Sequence, residues 1–174
     1  MTIKRLSPSH AGEYRALMLE AYAAHPDAFT STVAERERLP MAWWEARLSV
    51  EPSAKELVLG AFHAGDLAGV VGLSFEQREK VRHKATLFGM YVRPSRRGQG
   101  IGRQLVQSAL ECARERADVL VVQLTVTEGN APAVALYESC GFIRFGVEPL
   151  AVAVRSGYVS KLHMWRRLDA DERA

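Results

Sequence analysis

The sequence predicts a mixed α/β fold in one domain spanning residues 1–174. Three observations carry that prediction. Segments of helical period fill the first fifty residues. Two strand-like runs, Leu57 to Phe62 and Leu67 to Phe75, follow with a turn between them. Strand-like and helical segments then alternate from Ala85 to Trp165. A length of 174 residues fits a single domain, which usually takes about 100–200.

Taken in order, Ser7-Pro8 reads as a helix start, with serine as N-cap and proline in the first turn. Tyr14, Leu17, Met18, Ala21 and Tyr22 continue at helical spacing, and His25-Pro26-Asp27 stops the helix. Thr32 with Glu35 three residues later predicts a capping box and a second helix. Pro40 breaks it, and Met41 to Leu48 forms a third short piece. His63-Ala64-Gly65-Asp66 reads as the turn of a β-hairpin. Glu76 to Lys84 is a polar connection, and Ala85 to Val92 is a strand ending before Pro94. Ile101, Leu105, Ala109 and Cys112 form one stripe of a helix over Gln99 to Ala117. Val119 to Val126 is a run of β-branched and aliphatic residues, read as a buried central strand. Asn130 to Ser139 is a short helix closed by Gly141, and Phe142 to Val147 and Tyr158 to Trp165 are the last strands.

Composition narrows the function. The chain is 48% hydrophobic and 25% charged, near the globular average. Apolar runs such as Val119 to Val122 and Leu150 to Val154 fall far short of the roughly 20 residues of a membrane span, so no membrane partner is expected. The N-terminus lacks the apolar core of a secretory signal, and two cysteines make no disulfide framework. A cytoplasmic protein is expected. The net charge of +3 is too small to argue for nucleic acid, and the arginines have no interleaved aromatic stripe. Five dispersed histidines lack metal-site spacing, so no metal is expected.

The charge is concentrated where it matters. Arg93 to Arg103 holds four arginines, three glycines and no acid, between a strand and a helix. A helix start leaves N–H groups without partners and carries partial positive charge. Glycines let those N–H groups close on a phosphate, and arginines add charge-assisted bonds. The glycines at 98, 100 and 102 do not fit a dinucleotide fingerprint, because position 103 is arginine. No Gly-Lys-Ser/Thr run supplies a nucleotide-triphosphate loop.

The stretch resembles the acetyl-CoA motif of the GNAT superfamily of N-acetyltransferases, (Gln or Arg)-x-x-Gly-x-(Gly or Ala), met by Arg97, Gly100 and Gly102. Met90-Tyr91-Val92 matches the hydrophobic strand before that loop. Asn130 to Phe142 resembles the family's downstream Asn-x-x-Ala-x-x-Leu-Tyr-x-x-x-Gly-Phe segment. The resemblance spans roughly Leu57 to Trp165 and implies a twisted mixed sheet with helices on both faces. It implies acetyl-CoA as co-substrate, with the loop of Arg97, Gly98, Gln99, Gly100, Ile101, Gly102 and Arg103 around its pyrophosphate. Arg93, Arg96 and Arg103 are candidates for its outer phosphate. Pantetheine is expected to pair with the edge at Met90, Tyr91 and Val92, next to a bulge for which Gly89 is suited by its missing side chain. The family's oxyanion donor falls on a backbone N–H near Met90 or Tyr91, and its acid, which protonates the leaving thiolate, on Tyr137. Asn130 is a helix N-cap, a cofactor contact, or both.

The expected reaction is acetyl transfer to a primary amine of a small molecule or amino-acid derivative, by direct attack in a ternary complex. A protein N-terminus or lysine is the alternative acceptor. A non-catalytic acyl-CoA-sensing domain is the rival outside enzymes, motivated by a departure from the family pattern. Many relatives carry a glutamate on the strand before the loop, whereas Ala85 to Gly89 holds no acid. Glu76, Glu35 or a water chain are the remaining candidates for the base. Trp43, Trp44 and Tyr22 are candidates for an acceptor pocket, the core, or contact with a second copy in a homodimer.

Overall fold

The computed structural model describes residues 1–168, in which seven strands form one mixed sheet. Residues 169–174 of the expected domain range lie outside the described residues. Strands β1 (Thr2–Arg5), β2 (Glu56–His63), β3 (Asp66–Phe75) and β4 (Lys84–Val92) are consecutive antiparallel neighbours. β5 (Val121–Thr127) runs parallel to β4. β7 (Gly157–Arg167) lies antiparallel against β5, and β6 (Ile143–Val154) closes the far edge. The order is therefore β1-β2-β3-β4-β5-β7-β6.

Helices cover both faces. α1 (Ala11–Ala24), α2 (Val33–Glu37) and α3 (Met41–Arg47) belong to one side, α4 (Ile101–Arg114) and α5 (Ala131–Ser139) to the other. Strand alternation sorts the core between them. On β2, Leu57, Leu59 and Ala61 pack with Leu105, Ala109 and Leu110 of α4, while Val58 packs with α1 and α3. Leu17, Met18, Trp44 and Leu48 are almost fully buried on that second side.

Local chemistry sets the boundaries. The Thr32 N–H donates to Glu35 Oε2 at 2.8 Å and the Glu35 N–H donates to Thr32 Oγ1 at 3.2 Å, the reciprocal box that starts α2. Ala64 and Gly65 have φ of 52° and 91°, the two positive values a tight hairpin turn needs. The first helix opens with a 3-10 turn at Pro8–His10, and its α-helical part starts only at Ala11. Two strands differ from expectation. β1 is too short and too charged to show a pattern. β6 runs seven residues past Val147, through Pro149, because the sheet edge leaves that position without an N–H to satisfy.

What positions the site is the parting of β4 and β5. They pair only at Lys84–Thr86 with Val121–Gln123, and both strands continue beyond without each other. On its other side, β4 carries an extra residue against β3. Val70 faces Tyr91 and Gly72 faces Phe88, so Gly89 and Met90 together oppose Val71. Gly89 has φ of 59°, a left-handed value that makes this the expected glycine bulge.

Candidate active site

A cleft of about 520 Å³ opens where β4 leaves β5. Its walls are the outer end of β4, the N-terminal ends of α4 and α5, and the segment after α1. Of the expected residues, Met90, Tyr91, Val92, Arg97, Gly98, Gly100, Ile101, Gly102, Arg103 and Asn130 all line it. Gln99 and Tyr137 do not. Gln99 is exposed on the turn before α4. Tyr137 lies on the inner side of α5, 6% exposed, its ring edge-on to Phe142 at 6.0 Å. Burial pushes the Tyr137 hydroxyl well above the ordinary phenol range, and Cys140 adds in the same direction.

The loop has the geometry that phosphate binding demands. Gly98 and Gly100 have φ of 75° and 76°, and Gly100 is the N-cap of α4. Left-handed backbone at alternate positions turns successive N–H groups toward one side, and α4 adds its own unpaired N–H groups. Gly102 has a different reason to be glycine. A Cβ there would press on Leu136 Cδ2 at 3.1 Å and Met90 Cε at 3.2 Å, so it lets α4 approach α5 and β4. Arg96, Arg97 and Arg103 line the cleft and no acid does among the described residues, which gives that wall a single sign of charge. These residues fit the phosphates and the amide-rich arm of coenzyme A.

The arginines divide by task. Arg93 is held by Glu20, with Nε donating to Oε2 at 3.0 Å, and it does not line the cleft. Arg96 and Arg103 both line the cleft. Arg97 folds back over the strand edge: its Nε donates to the Val92 carbonyl at 2.9 Å and its Nη2 lies 2.9 Å from His25 Nε2. Asn130 caps α5, its Oδ1 accepting from the Ala133 N–H at 3.4 Å, and the residue also borders the cleft.

A second cavity, about 280 Å³, lies across the bulge. Phe29 is common to both walls, and Gly89 borders the second cavity where Met90 borders the first. Arg36, Arg47 and Glu56 line it with Tyr14, Tyr22 and Phe88. The sequence gives no local sign of this cavity, because its residues come from α1, α2, α3 and three strands. Of the aromatic candidates, Tyr22 lines it. Trp44 is wholly core, and Trp43 is covered by the Arg36 and Arg47 guanidiniums at 4.7 and 5.0 Å. His25 and Phe29 also escaped the sequence, which shows only a helix stop there.

Neither expected carboxylate base reaches a cavity wall. Glu76 lies beyond β3, 3.8 Å from Arg78, and Glu35 is engaged in the cap of α2. Hydrogen bonds from Thr32 hold the Glu35 carboxyl below its ordinary range, which makes it a poor base.

The family model described as the Acetyltransferase (GNAT) family matches residues 16–142. The chain belongs to the GNAT family of acetyltransferases. This GNAT chain is 32% identical over 124 residues to an L-amino acid N-acetyltransferase, AaaT, of Escherichia coli, covering 71% of this chain and 74% of that one. It is 32% identical over 134 residues to a mycothiol acetyltransferase of Salinispora arenicola, covering 75% of this chain but only 40% of that protein. A ribosomal-protein bS18 alanine N-acetyltransferase of Escherichia coli is 39% identical over 69 residues, 40% of this chain and 46% of that one. Among solved structures, a GNAT acetyltransferase from Streptococcus pneumoniae superposes with a TM-score of 0.87 at 26% identity, covering 97% of this chain and 99% of that one. The family uses acetyl-CoA, and the fold is the one its members share.

Proposed function

We propose that the chain is an acetyl-CoA-dependent N-acetyltransferase acting on the primary amine of a small molecule or amino-acid derivative. The observation that carries this reading is the bulge itself. It stands between a glycine-capped cleft with no acid among its described lining residues and a second cavity that shares Phe29 with it, a layout that lets a thioester and an amine approach Met90 from opposite sides without a covalent enzyme intermediate. Both free thiols, Cys112 and Cys140, suit the reducing cytoplasm we assign to it.

Acetyl-CoA supplies the acetyl thioester; the chain holds it and meets the charge that develops. The N–H groups from Gly98 to Gly102 take the pyrophosphate, with Arg96 and Arg103 on the outer phosphate. The Arg93 N–H donates to Ala68 at 3.0 Å, so the alternation of antiparallel pairing turns Tyr91 toward β3 and Met90 and Val92 toward the open edge. That selects Met90, not Tyr91, as the N–H donor for the thioester oxygen. Pantetheine takes the Val92 carbonyl, which requires the Arg97 side chain to swing off it. Tyr137, one turn beyond Ala133 on α5, offers its hydroxyl to the leaving sulfur. With no carboxylate base on the cleft, the amine gives its proton to solvent.

Two results test this. Acetyl-CoA at about 100 times its dissociation constant should stabilise the fold by about 2.7 kcal/mol, seen as a thermal shift that NAD and ATP do not give. Thiol release should then follow the addition of an amine. A shift with NAD or ATP and none with acetyl-CoA overturns the cofactor. Binding without thiol release across an amine panel turns the chain into an acyl-CoA sensor. Loss of the amine proton to solvent adds a second expectation: kcat/KM should rise tenfold per pH unit until the acceptor's own pKa, about 8 for an α-amine beside an amide and higher beside a free carboxylate. A plateau well below that pKa would show a protein base.

A further inference from the structure

The second cavity carries more information than its place beside the cleft. Its charged residues do not balance. Arg47 Nε lies 3.1 Å from Glu56 Oε2, which pairs one cation with the single acid among the described wall residues. Arg36 is left with no carboxylate among the described residues. Both guanidiniums lie within cation–π distance of aromatic rings. Arg36 lies 4.7 Å over Trp43, and Arg47 lies between Trp43 at 5.0 Å and Phe88 at 4.5 Å. Phe88 is itself fixed, because its ring occupies the place where any side chain on Gly72 would project. A guanidinium restrained by aromatic contacts offers its N–H fork to a carboxylate at less entropic cost than a free one.

We propose that Arg36, supported by the Arg47–Glu56 pair, holds a free carboxylate on the acceptor, so that the substrate is a small amino-carboxylate such as an amino acid. This rests on the N-acetyltransferase reading. The carboxylate docks on Arg36, and the amine reaches past Gly89 to the bulge. Met18, Tyr14, Tyr22 and Phe29 supply the apolar wall for the side chain. Burial raises the hydroxyls of Tyr14 and Tyr22, so both phenols stay neutral and add no anion to that of Glu56, which Arg47 already pairs. A volume of about 280 Å³ suits one small acceptor, and a peptide acceptor has no free carboxylate next to its amine.

The test compares an amino acid, its carboxamide and its methyl ester by thiol release at saturating acetyl-CoA. The free acid should be preferred about 10- to 100-fold in kcat/KM, the range of a charge-assisted hydrogen bond. Arg36→Ala should erase that preference by raising KM for the acid alone, and Arg36→Lys should restore part of it. Arg36→Gln, which keeps most of the bulk, serves if the alanine variant does not fold. Equal use of acid and amide, a preference for the amide or for a peptide, or a preference that survives loss of the Arg36 charge overturns the assignment. If no amine is acetylated, the transfer reading fails, and calorimetric titration with the N-acetylated acid and its amide decides the pocket separately. Acid-selective binding that Arg36→Gln removes supports it, and its absence overturns it.

Discussion

Replacing Gly100 with Glu abolishes saturable acetyl-CoA binding in a protein that still folds. Gly100 is the N-cap of α4 at φ 76° and ψ 1°, and a side chain in that left-handed region costs about 1–2 kcal/mol. The cost falls on an exposed loop whose only nearby atom for a new Cβ is Gln104 Nε2 at 3.8 Å, so the core is untouched. Binding loses far more. The carboxylate stands where the N–H groups of the loop would close on the pyrophosphate, and like charges so placed cost several kcal/mol, about a thousandfold in affinity. Gly100→Ala separates the two effects, since it carries the strain without the charge, and should weaken binding only about tenfold. Calorimetry measures both affinities, and thermal melts confirm folding. If Gly100→Glu binds acetyl-CoA like the parent, the phosphates lie elsewhere and the cleft assignment falls.

The two glycine-dependent features that build this site were legible in the sequence because each is a local demand. Gly100 meets a left-handed helix cap, and Gly89 meets a left-handed bulge. The Thr32 and Glu35 box and the Ala64-Gly65 turn belong to the same class, where residues three or fewer apart decide the outcome. The rest depended on distant partners. Arg93 sits among the phosphate-candidate arginines in sequence, whereas in the fold it pairs with Glu20, 73 residues away. Arg36, Arg47 and Glu56 show no shared pattern, and only the packing of α2 and α3 over β2 brings them to one cavity. β1 was invisible because four residues ending in Lys4 and Arg5 carry no alternation, yet they pair fully with β2. Gly102 fits the loop motif in sequence but stands in the first turn of α4, where the contact it makes room for is with Leu136 on another helix.

Tyr137→Phe should lower the chemical rate about a hundredfold and leave acetyl-CoA affinity nearly unchanged. The expectation starts from place and acidity. Ala133 lines the cleft, and Tyr137 follows it by one helical turn, buried against Phe142. Burial raises the phenol well above its usual range, so it is a far weaker acid than a thiol, whose ordinary pKa is about 8.5. The proton therefore favours the tyrosine oxygen over the departing sulfur at equilibrium. The hydroxyl acts by donating a hydrogen bond to developing negative charge, an effect worth about 10²–10³-fold for one well-placed donor. The same raised pKa fixes the pH behaviour. The donor is intact below its folded-state pKa, so Tyr137 should impose no loss of rate through about pH 10, where an ordinary phenol would be half ionised. Phenylalanine keeps the ring packing on Phe142 and removes only the oxygen, so stability should change little. Single-turnover rates are the measurement, because slow product release would hide the step in kcat. An unchanged single-turnover rate would make Tyr137 a packing residue and leave the thiolate to depart unaided, as its modest basicity permits.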